Sequence, residues 1–399
     1  MAGVTLNRAL RWLLVASAAA LAVAVVGRWS GEPANARDTG AAAREEFSRA
    51  LASALRADSR DGFDKPAAPW SFEFPRDHGA HPQFRSENWY VGALLEDDDG
   101  YTVSLQLTLS RLALVPPGEA ARNSAWAVRD VYRAELELLD GQRAVHAERT
   151  VRGALGLGGH SHEPVRTWTG DWSLQPRGDE GSWLVEAQAD GIRIALELAP
   201  AKPLLLPRTA SGDGPAPPFT GYAMTRFDVS GSLQGANGER SLIGEGWLEH
   251  GFGELPLPGG AVALDRWRLI LADGRELSVN TLRRRDGSGK ARISAVLVEP
   301  NGEVRTLDGT NIEIQPLAYW RAEHGDRRYP VQWRIVAPAL DLPALDLPAL
   351  DLNVHALGQD REIRGPLRRW SGPVTVKDNE RGGETVGRGF VESWGVPAT

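Results

Sequence analysis

Along most of the chain, apolar and polar residues alternate one for one. In YTVSLQLTLS, Tyr101, Val103, Leu105, Leu107 and Leu109 interleave with Thr102, Ser104, Gln106, Thr108 and Ser110. A period of two places the apolar set on one face and the polar set on the other, which is a β-strand resting on a core. VYRAELELL, GIRIALEL, ELSVNTL and PVQWRIV repeat the pattern. Between such runs stand Asp99-Gly100, Asp140-Gly141, Asp190-Gly191, Asn237-Gly238, Asp273-Gly274, Asp286-Gly287, Asn301-Gly302 and Asp308-Gly309. Asp-Gly and Asn-Gly supply the positive φ of tight hairpins, so neighbouring strands are expected to be antiparallel. That predicts an all-β fold of barrels or sandwiches, not a parallel α/β sheet. The exception is residues 40–58, where Phe47, Leu51 and Leu55 fall four apart and predict a short helical spacer.

The N-terminus has a different texture. Arg8 and Arg11 precede an apolar run from Trp12 to Val26, and Pro33 to Ala36 read PANA. A basic start, a hydrophobic segment and a small-x-small site make an export signal, with cleavage expected after Ala36. An uncleaved anchor is the alternative, although a membrane span needs about 20 apolar residues. The stretch 200–219, PAKPLLLPRTASGDGPAPPF, is rich in Pro, Gly and Ser and predicts a linker. The expected order is a signal or anchor over 1–36, a helical spacer over 37–69, one β-domain over 70–205, a linker over 206–219 and a second β-domain over 220–399. PALDLPALDLPALDL, 338–352, is a tandem five-residue repeat. Its regular prolines predict a lengthened edge strand or a surface loop.

Composition narrows the function. With 42% hydrophobic and 24% charged residues the chain is globular. The net charge of −7 is spread without a basic stripe, which argues against a nucleic-acid partner. Cysteine is absent, so disulfides, a thiolate nucleophile and a lipidated cysteine are excluded. No Gly-x-Ser-x-Gly elbow is present, and GALGLGG lacks the strand-to-helix context of a phosphate loop. Fourteen Trp against nine Phe and six Tyr is an unusual balance, and Trp suits ligand pockets as well as cores.

The densest chemistry lies in GEGWLEHGFGELPLPGG, residues 244–260, where Glu249 and His250 are neighbours and Trp247 and Phe252 flank them. Asp265 and Trp267 follow in ALDRWRLIL. Hydrating an isolated alkene requires a protonated acid, aromatic faces that shelter a carbocation, and a held water. PRDHGAHPQFRSENWY offers Asp77, His78, His81 and Glu87, with Trp89 entering the first strand. His and acid spacing of this kind suggests a metal, but a site needs three or four converging ligands. His160 and His162 in GHSHEP lie on a Gly-rich loop and read as surface residues. No metal set and no cofactor is therefore assigned. Gln106, Arg111, Arg149 and Arg152 are further candidates. An Arg inside a barrel needs a carboxylate, which Glu87 or Glu135 could supply as a buried ion pair, and recognition of a ligand headgroup is the alternative.

Taken in order, FEFPRDHGAHPQFRSENWYVGALL (72–95), LQLTLSR, HAERTVRGALGLGG, TWTGDWSL, YAMTRFDVSGSL, YWRAEHGDRRYPVQWRI, RWSGPVTV and GRGFVESWG resemble the lipocalin-like AttH and carotenoid hydratase family of exported bacterial proteins. The resemblance covers about residues 70–395. It implies two consecutive lipocalin-like antiparallel β-barrels. It also implies that some members hydrate the terminal double bond of acyclic carotenoids, while many others have no established activity and are taken to bind hydrophobic ligands. Hydratase-like members, by the same resemblance, carry an Asp-His pair, a Trp two places after the His, and tryptophans flanking the next acid. Here Glu249 replaces that Asp, Phe252 stands for the Trp, and Leu264 and Arg266 flank Asp265. A cation beside Asp265 disfavours a protonated acid and a nearby carbocation.

The expectation is an exported, periplasmic or secreted protein that binds an apolar ligand without chemistry, a lipid or an isoprenoid. A barrel of about eight strands can hold one small ligand. The alternative is an isoprenoid hydratase, a hydro-lyase with Glu249 or Asp265 as acid, His250 orienting water, and Trp247 and Trp267 shielding the cation. Trp89 and Phe252 join the expected ligand contacts. A third reading is an envelope scaffold that works with transport proteins, held near the membrane by its N-terminal segment.

Overall fold

A computed structural model describes residues 62–396, apart from 68, 119–127, 142, 179–180, 207–218, 254–261, 287, 324–326, 338–339, 343–344, 348 and 365–367. The expected export signal and nearly all of the helical spacer lie outside the described residues. A short 3-10 helix, Arg76–His78, precedes the first strand. The rest is β-structure, and no helix among the described residues is long and apolar enough to cross a membrane.

The first sheet contains β1 (Ser86–Asp97), β2 (Thr102–Ala113), β3 (Asp130–Asp140), β4 (Arg143–Arg152), β5 (Gly158–His162) and β6 (Val165–Thr169). It continues with β7 (Trp172–Arg177), β8 (Ser182–Ala189), β9 (Ile192–Pro200), β10 (Phe219–Gly235) and β11 (Gly238–Gly253). Its order is β4-β3-β2-β1-β11-β10-β9-β8-β7-β6-β5, antiparallel throughout. It curls until β3 and β4 lie against β5, β6 and β8. The second half supplies β12 (Val262–Leu271), β13 (Glu276–Arg284), β14 (Arg292–Val298), β15 (Val304–Leu307), β16 (Glu313–Arg321) and β17 (Arg328–Ala337). After these come β18 (Leu340–Leu342), β19 (Leu345–Leu347), β20 (Leu350–Ala356), β21 (Glu362–Ile363), β22 (Arg369–Asp378) and β23 (Glu384–Trp394). The main path of this second sheet is β15-β14-β13-β12-β23-β22-β20-β17-β16. The expectation of an all-β chain with two lipocalin-like antiparallel barrels is met by two large, curled antiparallel sheets.

Most of the Asp-Gly and Asn-Gly pairs sit where hairpins turn, but Asp308-Gly309 joins β15 to β16, which lie at opposite ends of the second sheet and do not pair among the described residues. Asp190 and Gly191 both have positive φ, 50° and 76°, between β8 and β9, a conformation that favours Gly and tolerates Asp. Sheet membership, however, divides the chain later than the Pro-rich stretch 206–219. β10 and β11, residues 219–253, pair with β9 and β1 and belong to the first sheet. The linker composition marks an insertion before β10, and the change of sheet falls between β11 and β12. The repeat, expected as a lengthened edge strand or a surface loop, divides in two. Among the described residues β18 and β19 pair only with each other, whereas the last copy enters β20, an interior strand between β17 and β22. No proline falls within 350–356, so that segment can bond on both sides.

Each sheet encloses its own core. On β1, Trp89, Val91, Ala93 and Leu95 face inward with Leu105, Leu107, Leu196 and Leu248. The alternate residues Tyr90 and Leu94 point out of the first sheet and pack with Trp247, Ile270 and Phe390, joining it to β12 and β23 of the second. Trp267, Trp333 and Trp370 lie in the second core.

Candidate functional site

The ladder between β1 and β11 builds the site, because residues directly opposite share a face. Trp89 pairs with His250 and Glu87 with Phe252, so four side chains converge at one end of the first sheet. The Glu87 carboxylate is fully buried. Its Oε1 lies 2.7 Å from His81 Nδ1 and 2.9 Å from His250 Nε2. The His81 backbone N–H donates to both oxygens, and Arg111 Nε donates to Oε2 at 3.3 Å. Arg111 also donates to the His81 and Phe84 carbonyls and to Asp130, which fixes the turn before β1. On the far side of His81, Nε2 lies 3.4 Å from Asp77 Oδ1. Asp77 Oδ2 accepts from Trp70 Nε1 and the Glu73 N–H.

Aromatic rings close around this chain of charges. His81 stacks on Phe252 at 3.6 Å, and Trp89 stacks on His250 at 4.6 Å. Tyr222 and Phe252 meet His250 edge-on, and Trp70 meets His81 the same way. His78 Nδ1 lies 2.7 Å from the Tyr222 hydroxyl, with Trp183 edge-on to the imidazole.

Protonation follows from these contacts. Burial pushes the Glu87 carboxyl upward, but hydrogen bonds from His250 and His81 and the charges of His81 and Arg111 hold it well below the usual range. Asp77 is likewise held low, burial being outweighed by hydrogen bonds from His81, the Glu73 backbone, Trp70 and Arg76. Burial pulls His81 down, yet bonds to Asp77 and Glu87 raise it above an ordinary imidazole. An ionised carboxylate only accepts, so both ring nitrogens of His81 carry protons here. His250 is lowered, because burial outweighs the attraction of Glu87. Its Nε2–H then donates to Glu87 from a neutral ring. Burial and His250 pull His78 down to about 4.

Of the residues singled out by sequence, the fold brings His250, Trp89 and Phe252 together. Glu249 lies on the opposite face of β11, accepting from Arg266 at 2.6 Å, Arg268 at 2.7 and 3.1 Å, and Trp247 Nε1 at 3.0 Å. Trp247 therefore belongs to the layer between the sheets. Asp265 is in the second sheet, bound to Thr281 and Arg283, and Trp267 meets Trp333 at 6.0 Å in the second core. The three named acid-base residues occupy three separate environments. Sequence reading did not connect Tyr222 or Trp70 with His250, nor His81 and Glu87 as its direct neighbours. The alternation in Ser86-Glu87-Asn88-Trp89 carried part of that signal, since Glu87 and Trp89 are two apart on one face.

The sequence profile of the AttH-like family matches residues 65–396. No curated protein shows a significant match. Among solved structures, an AttH of Nitrosomonas europaea superposes with a TM-score of 0.66 at 24% identity, covering 83% of this chain and 99% of its own. Kievitone hydratase of Nectria haematococca superposes with a TM-score of 0.58 at 12% identity, covering 84% of this chain and 96% of its own. At such identities both likenesses establish the fold alone. The family profile spans most of the chain, and the protein belongs to the AttH-like family.

Proposed function

We propose that this AttH-like protein is exported and binds an apolar ligand, a lipid or isoprenoid, at the His250 end of the first sheet without transforming it. The observation that carries the reading is the state of Glu87. The carboxylate next to His250 is saturated by two imidazoles, a backbone N–H and Arg111. Adding water to an alkene needs a carboxyl kept protonated beside the double bond. Glu87 and Asp77 are both held as anions, and His81 grips its proton more tightly than a free imidazole. Around them pack aromatic rings, of which Trp89, Tyr222 and Phe252 are fully buried. Trp70, Phe72 and Phe74 are half-buried at the outer side, and these last are the rings an apolar guest would meet. Export is supported by the basic start, apolar run and PANA site within residues 1–36.

Native mass spectrometry of protein collected from the envelope or medium, followed by organic extraction, tests this. The expected result is a co-purifying apolar molecule that is recovered unchanged. Its affinity should fall about tenfold or more in Phe72→Ala, the loss expected when a large ring contact is removed. Incorporation of isotopically labelled water into that molecule, abolished by His250→Ala, would establish a hydratase instead. Apo protein that also ignores a lipid and isoprenoid panel would defeat both.

A further inference from the structure

His81, Glu87 and His250 present His Nδ1, His Nε2 and a carboxylate oxygen within 4.8 Å of one another, all buried. Two of these residues lie six apart before and within β1, and the third arrives from β11, 163 positions on. We propose that His81 Nδ1, His250 Nε2 and Glu87 Oε1 bind one borderline divalent transition-metal ion, of which zinc is the reference case. Binding releases the His81 Nδ1 proton to solvent and moves the His250 proton to Nδ1, which has no hydrogen-bond partner among the described residues. Two imidazoles and one carboxylate form a three-ligand set that such ions accept, leaving a further position for an exchangeable ligand.

Three features beyond ligand identity support the site. First, His81 turns its other nitrogen, Nε2, toward Asp77 Oδ1 at 3.4 Å. An imidazole that ligates through one nitrogen and donates from the other to a carboxylate is the arrangement that orients metal-bound histidines. Asp77 is itself fixed by Trp70 and the Glu73 N–H, so this outer support is rigid. Second, the two Glu87 oxygens differ in their side-chain partners: Arg111 holds Oε2, both imidazole nitrogens converge on Oε1, and the His81 backbone N–H is shared between the two. Arg111 is in turn balanced by Asp130 at 2.9 Å, so its charge is shared between two carboxylates. Third, the spacing is close to what an ion needs. Nitrogen and oxygen ligands about 2.0–2.1 Å from zinc in tetrahedral geometry sit about 3.3 Å apart. The two distances here are 2.7 and 2.9 Å. An opening of about half an ångström at each contact admits the ion.

The alternative is an acid-base bridge with no metal affinity, and the experiment separates the two. Full-length protein is stripped with a chelator and titrated with Zn²⁺ against a chromophoric competitor, and with Co²⁺ while its visible spectrum is recorded. The proposal expects one equivalent bound and a cobalt spectrum of low-coordinate nitrogen and oxygen ligation. Glu87→Gln and His250→Gln should weaken binding at least 100-fold, and Asp77→Asn about 10- to 100-fold through loss of the outer support. Circular dichroism checks that each variant is folded. If the variants do not fold, X-ray absorption of the wild-type cobalt complex decides, with two imidazoles in the shell expected. Folded wild type that binds no equivalent at micromolar zinc overturns the proposal. Binding that survives Glu87→Gln but disappears in His160→Ala/His162→Ala overturns it equally, as does a metal shell without two imidazoles.

Discussion

Glu249 and His250 are consecutive in the chain and face opposite sides of β11. His250 points into the first core and donates to Glu87 at 2.9 Å, whereas Glu249 points to the second sheet and binds Arg266 and Arg268. The strand period of two separates them as completely as a change of domain would.

That separation predicts distinct phenotypes. Glu249→Ala leaves two buried guanidinium groups without their main carboxylate, and removing one partner of such a set costs about 3–5 kcal/mol. Urea unfolding should show that loss, while the folded fraction keeps wild-type ligand affinity. His250→Ala should reduce ligand affinity. A Glu249→Ala protein that is stable but unable to bind ligand would place Glu249 in the binding site after all.

Arg369 on β22 is a second tie between the sheets. Its Nη2 donates to Glu135 and to Glu137 on β3, the latter at 2.5 Å, and all three are buried. Arg369→Met leaves buried Glu137 with Gln106 but without its guanidinium, while Glu135 keeps Arg133 and His146. It should cost about 3 kcal/mol. Adding Glu137→Leu should recover part of that loss, because a buried ion pair can be replaced by apolar packing at little net cost. Chemical denaturation of the single and double variants reads both effects. Equal instability of the two would remove the pairing argument.

Acid should weaken the fold through His78. Burial and neighbouring His250 pull it down to about 4, with Asp77 opposing, and its nitrogen meets the Tyr222 hydroxyl. A folded value below the unfolded one of about 6.5 means that the contribution is complete above that pH and is lost as pH falls toward 4. The full span is worth about 3 kcal/mol. His78→Gln should flatten the stability profile between pH 6.5 and pH 4. An unchanged slope would show that His78 is not what titrates.

Gly92 sits where the sheets touch. A Cβ there would lie 2.8 Å from Phe390 Cε2 and 3.0 Å from the Tyr90 hydroxyl. Gly92→Ala should therefore cost about 1–3 kcal/mol by overpacking. Pairing Gly92→Ala with Phe390→Leu should restore part of it. If the double variant is simply additive, the clash lies elsewhere.

Local pattern was enough for the strands and for many turns. Alternation in 101–110 and most of the Asp-Gly and Asn-Gly dipeptides act between residues close in sequence, and they appear as β2 and as hairpins, Asp308-Gly309 being the exception. The stretches resembling the AttH family lie within the span that the family profile matches, 65–396. Arg111 had Glu87 as a candidate partner because a buried guanidinium needs a carboxylate, and that pair forms. The same alternation, applied to 247–252, would have split Glu249 from His250 and left Trp247 with the former.

Register across distant strands was not legible. That Glu87 meets His250, and that β10 and β11 close the first sheet instead of opening the second, depends on pairings between segments separated by many turns of chain. Such pairings are selected by the packing of whole faces, and a shift of one residue would exchange every inward side chain for its neighbour. The sequence by itself determined that the chain forms antiparallel sheets and which residues alternate along each strand. Only the tertiary structure decided which face of β11 meets β1's Glu87 and which meets the second sheet, because that choice is made by long-range burial and not by any local preference.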